Sequence, residues 1–125
     1  MKKTLGTRNN NEWTEGRYRS FLVSILRSGM RRWPPKWLAL KAASVGKHIN
    51  KKSGRAAEHY TCAMCSKNYP AKEVQIDHIH PVVDPDIGFI SWDVYIERMF
   101  CEQDNLQVLC LTCHKKKSKE ERGKR

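Results

Sequence analysis

The sequence predicts an α+β protein: a helical N-terminal arm, then a small module of short strands and helices stapled through four cysteines. Three observations carry this. Two Cys-x2-Cys pairs, Cys62/Cys65 and Cys110/Cys113, lie 44 residues apart. Apolar residues recur at helical spacing from Tyr18 to Leu26 and again from Trp92 to Phe100. Val74 and Ile76 alternate with polar neighbours, and NLQVLC, from Asn105 to Cys110, reads as a second short strand.

Taken in order, Tyr18, Phe21, Leu22, Ile25 and Leu26 form one stripe of a helix starting near Thr14, with Arg17, Arg19 and Arg27 on other faces. Pro34 and Pro35 stop it, because proline lacks an amide proton and restricts the residue before it; Lys36 to Ala43 restarts as a second short helix. SVGKHINKKSGR, from Ser44 to Arg55, has no periodicity and reads as a basic linker or loop. Ser91 can cap a helix whose Trp92, Tyr95, Ile96, Met99 and Phe100 share a face. The last segment, from Leu111, has helix-forming composition without an apolar stripe beyond its first turn, so its far end should project into solvent. The expected organisation is a basic arm and linker over 1–57, a compact module over 58–117 and a basic tail over 118–125.

The chain of 125 residues carries a formal net charge of +11, unevenly spread: +11 over 1–60, −5 over 61–113 and +5 over 114–125. An acidic centre between basic flanks suits a protein that grips a polyanion while holding a cation; a solvated surface is the alternative. No run of some 18 apolar residues exists, and MKKTLGTRNNNEW has no apolar stretch of the kind that leads secretion. No membrane partner and a cytoplasmic location are therefore expected. Cysteines there seldom pair as structural disulfides.

Cys62, Cys65, Cys110 and Cys113 find their explanation in spacing. A turn after a strand and the first turn of a helix can each present two thiolates to one tetrahedral ion, and four sulfurs close a structural zinc site. The bracketed module is too small to be held by apolar burial alone, whereas zinc supplies on the order of 10 kcal/mol to folding. One zinc per chain is expected; buried free thiols or a redox pair are the alternatives. Cys101 ends an apolar stripe without a partner at ligand spacing and reads as a small core residue.

Asp77 and His78 are neighbours, and in a regular strand they would point to opposite faces. Both can serve one site only where the strand ends, and Pro81 puts that end nearby. His114 directly follows Cys113, so the cysteine pair also fixes where this imidazole projects. The three groups either form a satisfied polar patch or converge with Asn105 on a site. His48 and His59 have no ligand spacing, His80 either hydrogen-bonds a phosphate or, preferably, packs beside Pro81, and Asp84, Asp86 and Asp104 suit turns and caps.

DHIHP (77–81), NLQVL (105–109) and CLTCHKKK (110–117) resemble the signature of HNH endonucleases with a four-cysteine zinc framework. The longer run from TEGRYRS through RRWPPK to NLQVLC is similar to small free-standing HNH proteins of tailed phages. The resemblance implies a ββα-metal, treble-clef-like fold with Val74 to His78 and Asn105 to Leu109 as its strands and the segment after Cys110 as its helix. It implies Asp77 and His114 as ligands of a divalent cation, Mg2+ or Mn2+, or else Ni2+, Co2+ or Zn2+, and His78 as general base. Asn105 would bridge backbone groups and hold the bend carrying the base. The implied reaction is hydrolysis that nicks or cuts duplex DNA, leaving 5′-phosphate and 3′-hydroxyl ends.

Phosphate contacts are expected from Lys115, Lys116, Lys117 and Lys119 and from Arg31, Arg32 and Lys36. Trp33 and Trp37 either stack on bases or, preferably, seal a core. The segment after Pro35 is short and Ala-rich, which argues against strong base readout. A non-catalytic zinc-finger DNA-binding protein or packaging adaptor on the same scaffold is the rival reading. The sequence names no protein partner.

Overall fold

The computed structural model describes residues 6–123, so the outermost residues of the predicted arm and tail lie outside it. The chain folds as two compact units, Met1–Arg32 and Trp33–Arg125.

In the first unit, helix α1 (Glu15–Gly29) starts where the Thr14 hydroxyl accepts from the Arg17 amide at 3.2 Å. The guanidinium of Arg8 lies over the Tyr18 ring and that of Arg17 over the Trp13 ring, 4.4 and 4.6 Å from the centroids. None of the helix is fully buried.

The second unit opens with α2 (Pro34–Ala43), and here the prolines play a different part from the one expected. They occupy its first turn rather than the gap before it, because amides there have no intrahelical acceptor to lose. Strand β1 (Ser44–Ile49) follows at once, where a linker was expected. It pairs antiparallel with β2 (Ala56–Thr61), which pairs in turn with β3 (Asn68–Pro70). Every β1 residue after Ser44 is exposed, so the strand rests on ladder bonds and carries no alternation to read. A bulge between Ser44 and Gly46, with Gly46 at φ +88°, lets the basic edge twist.

The second sheet has two strands, β4 (Val74–His78) and β5 (Leu106–Cys110), in antiparallel register with Asp77 opposite Gln107 and His78 opposite Leu106. Between them runs α3 (Trp92–Met99), capped as expected by Ser91, whose hydroxyl accepts from the Val94 amide. Phe89, Trp92 and Tyr95 meet edge to face around its start. Helix α4 (Leu111–Gly123) leaves β5 directly and buries none of its residues fully. This is the α+β, small ββα architecture. Leu106, Val108, Leu109 and Cys110 of β5 are buried, and Cys62 joins Leu109 and Cys110 at the core. Trp33 packs edge to face on Phe100 and donates from Nε1 to the Cys101 carbonyl at 2.6 Å. Trp37, in contrast, is 55% exposed with the Lys36 ammonium 5.1 Å from its ring, so only the first of the two tryptophans seals the interior. Among the described residues no helix is long and apolar enough to cross a membrane.

Candidate metal centre and active site

The four cysteines converge. Cys62 follows β2, Cys65 sits in the turn after it, Cys110 ends β5 and Cys113 lies in the first turn of α4; their sulfurs all fall within 4.8 Å of one another. The turn is closed by Ser66 N–H donating to the Cys62 carbonyl and Cys62 N–H to the Lys67 carbonyl, both at 2.9 Å. Ala63 N–H donates to the Val108 carbonyl at 2.8 Å and ties the turn to β5. Sulfurs about 2.3 Å from one tetrahedral ion are compatible with this spacing.

The electrostatics of the thiols point the same way. Burial opposes ionisation of Cys62, yet the backbone amides of Cys65, Cys110 and Met64 outweigh it and bring its pKa to about 6. The Tyr69 hydroxyl, 3.3 Å from Cys65 Sγ, lowers that thiol's pKa as well. Hydrogen bonding to Cys110, with burial added, pushes Cys113 up to about 12. Four crowded sulfurs cannot all ionise unaided, and a divalent ion removes the conflict.

The second constellation forms around the end of β4. The strand stops at His78, and the chain then turns through Ile79 and His80 toward Pro81. Asn105 pins this turn. Its Oδ1 accepts from His80 N–H at 3.0 Å, its Nδ2 donates to the His80 carbonyl at 3.4 Å, and its own carbonyl accepts from Ile79 N–H at 2.9 Å. Asn105 therefore sits just before β5, in a short 3-10 turn, rather than beginning the strand as expected. Its side chain is engaged with the opposite turn.

The His78 ring lies with Nε2 2.8 Å from the Met99 carbonyl. A carbonyl only accepts, so Nε2 carries the proton and the neutral ring keeps its lone pair on Nδ1. Asp77 is nearly enclosed, its side chain 11% exposed, and its two oxygens face different partners. Oδ1 is 3.8 Å from His114 Nε2, whereas Oδ2 accepts from Gln107 Nε2 at 2.9 Å and forms an ion pair with the Lys117 ammonium at 2.9 Å. Two donors 3.8 Å apart can both reach one cation at the ~2.1 Å typical of magnesium–oxygen and zinc–nitrogen bonds. The donor set, one carboxylate oxygen and one imidazole, thus fits a divalent ion.

Lys117 departs from its expected company among the phosphate contacts. Its ammonium reaches Asp77 Oδ2, Glu121 Oε1 at 2.9 Å and the His78 carbonyl at 2.7 Å, with only 18% of the side chain exposed. Burial works against its charge, but the Asp77 and Glu121 carboxylates outweigh it and hold its pKa above 10.5. Lys115, Lys116 and Lys119 are exposed on α4. Arg31 and Arg32 are exposed and Lys36 is half-buried; Arg31 donates to Ser28. Cys101 is half-buried, 3.8 Å from Asn105 Nδ2, and burial raises its thiol pKa.

Sequence reasoning missed Gln107, Glu121, Tyr69 and the Met99 carbonyl. Glu121 stands four residues after Lys117, which on a helix is a visible pairing signal. Gln107 becomes visible only once β5 is paired with β4, and a backbone carbonyl leaves no trace in residue types.

Over 71 residues the chain is 34% identical to a probable HNH endonuclease of Lactococcus phage SK1, a match that spans 56% of this chain and 67% of that protein. No family model and no solved structure matches the chain.

Proposed function

The chain belongs to the HNH endonuclease family, and on that premise we propose that it is a metal-dependent endonuclease hydrolysing phosphodiester bonds in duplex DNA. The observation that carries the reading is the approach of His114, in the first turn of α4, to Asp77 near the end of β4, with His114 Nε2 3.8 Å from Asp77 Oδ1.

In this reading each residue has a part, and the contacts described above support it. Asp77 and His114 would hold one divalent cation, whose chemistry is to polarise the phosphate and offset charge on the departing 3′ oxygen. His78 is the general base: with Nε2–H committed to the Met99 carbonyl, Nδ1 accepts the proton of the attacking water. Asn105 holds the turn that carries the base, a positioning role supported by its two bonds to the His80 backbone. Cys62, Cys65, Cys110 and Cys113 hold one structural zinc, which places His114 by fixing the first turn of α4. Lys115, Lys116 and Lys119, with the basic residues of the 1–57 arm, grip phosphates.

A zinc-containing DNA binder without catalysis is the rival, favoured by one observation: Lys117 already supplies Asp77 with a cationic partner. Incubation of supercoiled plasmid with Mg2+ or Mn2+ separates the two. The nuclease reading expects nicking by the wild type and none by His78→Ala that retains its zinc. Equal inactivity of both proteins, with DNA binding intact, would establish the binder instead.

A further inference from the structure

We infer that Gln107 and Lys117 are positioning residues for Asp77: they immobilise Oδ2 so that Oδ1 alone is offered toward His114, and Lys117 is not a DNA contact. The inference deepens the proposed nuclease reading and rests on its cation site.

The partners of Lys117 are the first support. Its ammonium donates to the His78 carbonyl at 2.7 Å and forms ion pairs with Asp77 Oδ2 and Glu121 Oε1, each at 2.9 Å. With these partners and a side chain only 18% exposed, it is poorly placed to reach a phosphate oxygen. The second support is register. Asp77 and Gln107 are directly opposed on β4 and β5, so their side chains share a face, and the Gln107 amide reaches Oδ2 at 2.9 Å. A hydrogen bond from Gln107 and an ion pair with Lys117 on the same oxygen restrict rotation of the carboxylate.

Lys117 also joins the two functional neighbours, since it holds the carboxylate of Asp77 and the backbone carbonyl of His78 at once. One side chain from α4 thus sets the ligand and the bend that carries the base. Its charge does not close the site to a cation: Asp77 and Glu121 together outweigh one ammonium, and the cluster stays net negative. Groups that orient a ligand in this way typically govern metal affinity or activity by about 10- to 100-fold.

The test uses the full chain loaded with zinc and needs no cleavage. Mn2+ affinity is measured by calorimetry for wild type, Gln107→Leu, Gln107→Met and His114→Ala. Gln107 is uncharged, so its loss reads orientation alone: both variants should bind Mn2+ about tenfold more weakly or worse while retaining zinc. Binding should vanish in His114→Ala. Duplex DNA binding is then titrated against salt for Lys117→Met beside Lys116→Met. The slope should fall by about 0.9 for Lys116→Met and stay at the wild-type value for Lys117→Met, with the maximal cleavage rate of Lys117→Met restored in Lys117→Arg.

Unchanged Mn2+ affinity in the Gln107 variants that retain zinc, or a slope for Lys117→Met that drops like that of Lys116→Met, overturns the inference. So does Mn2+ binding that survives His114→Ala or is absent from the wild type. A wild type that binds Mn2+ through His114 but cuts no DNA defeats the nuclease reading instead, and the affinity and slope shifts still decide the clamp.

Discussion

Replacing Asn105 with alanine isolates the contribution of the pin at the end of β4. The substitution removes an acceptor 3.0 Å from His80 N–H and a donor 3.4 Å from the His80 carbonyl, and leaves the bond from Ile79 N–H to the Asn105 carbonyl. Each such bond is worth about 0.5–1.5 kcal/mol net, and the longer one belongs at the low end. Because His80 is exposed, water replaces part of the loss. A cost of roughly 1–2 kcal/mol results, or a fall in Tm of about 4–16 °C for a domain of this size. The effect on rate should be larger relative to the effect on fold, up to about 100-fold, because the freed turn carries His78. Asn105→Asp keeps the shorter bond and should recover about half of the lost stability. Thermal unfolding of the zinc-loaded protein and initial rates of plasmid nicking at saturating Mg2+ or Mn2+ measure both. An alanine variant that melts and cuts like wild type, or an aspartate variant no more stable than alanine, would refute the argument.

Other consequences are as concrete. Zinc withdrawal by a chelator, or Cys65→Ser, should unfold the module, since about 10 kcal/mol of metal binding exceeds what so small a core holds in reserve; circular dichroism and metal analysis report it. Zinc uptake at pH 7 should release protons, because Cys113, near 12 without metal, arrives as a thiol while Cys62, near 6, is already ionised. A binding enthalpy independent of the buffer's own ionisation heat would contradict this. Trp33→Phe keeps the ring against Phe100 and loses the bond to the Cys101 carbonyl, and should cost about 1 kcal/mol in urea unfolding. Neutralising Lys115, Lys116 and Lys119 together should lower the salt slope of DNA binding by up to about 2.7, at 0.9 for each phosphate released; an unchanged slope places the DNA elsewhere.

Much of the molecule follows from local pattern. The stripes from Tyr18 and from Trp92 became helices, the first starting near Thr14 and the second capped by Ser91 as expected, since periodicity and capping are properties of neighbouring residues. Spacing alone brought the four cysteines forward, because a Cys-x2-Cys turn prepares two sulfurs for one ion wherever the chain later takes it. Asp77, His78, Asn105 and His114 were legible as a motif for a related reason: each is tied to a strand end or to a zinc-type turn. Strand β1 was not, because both its faces meet solvent and ladder bonds leave no mark on side-chain choice. Neither was the partition of Asp77 between His114 on one oxygen and Gln107 with Lys117 on the other. That arrangement depends on the β4–β5 register and on the angle at which α4 leaves β5, which are set by packing across the whole module and by no single stretch of it.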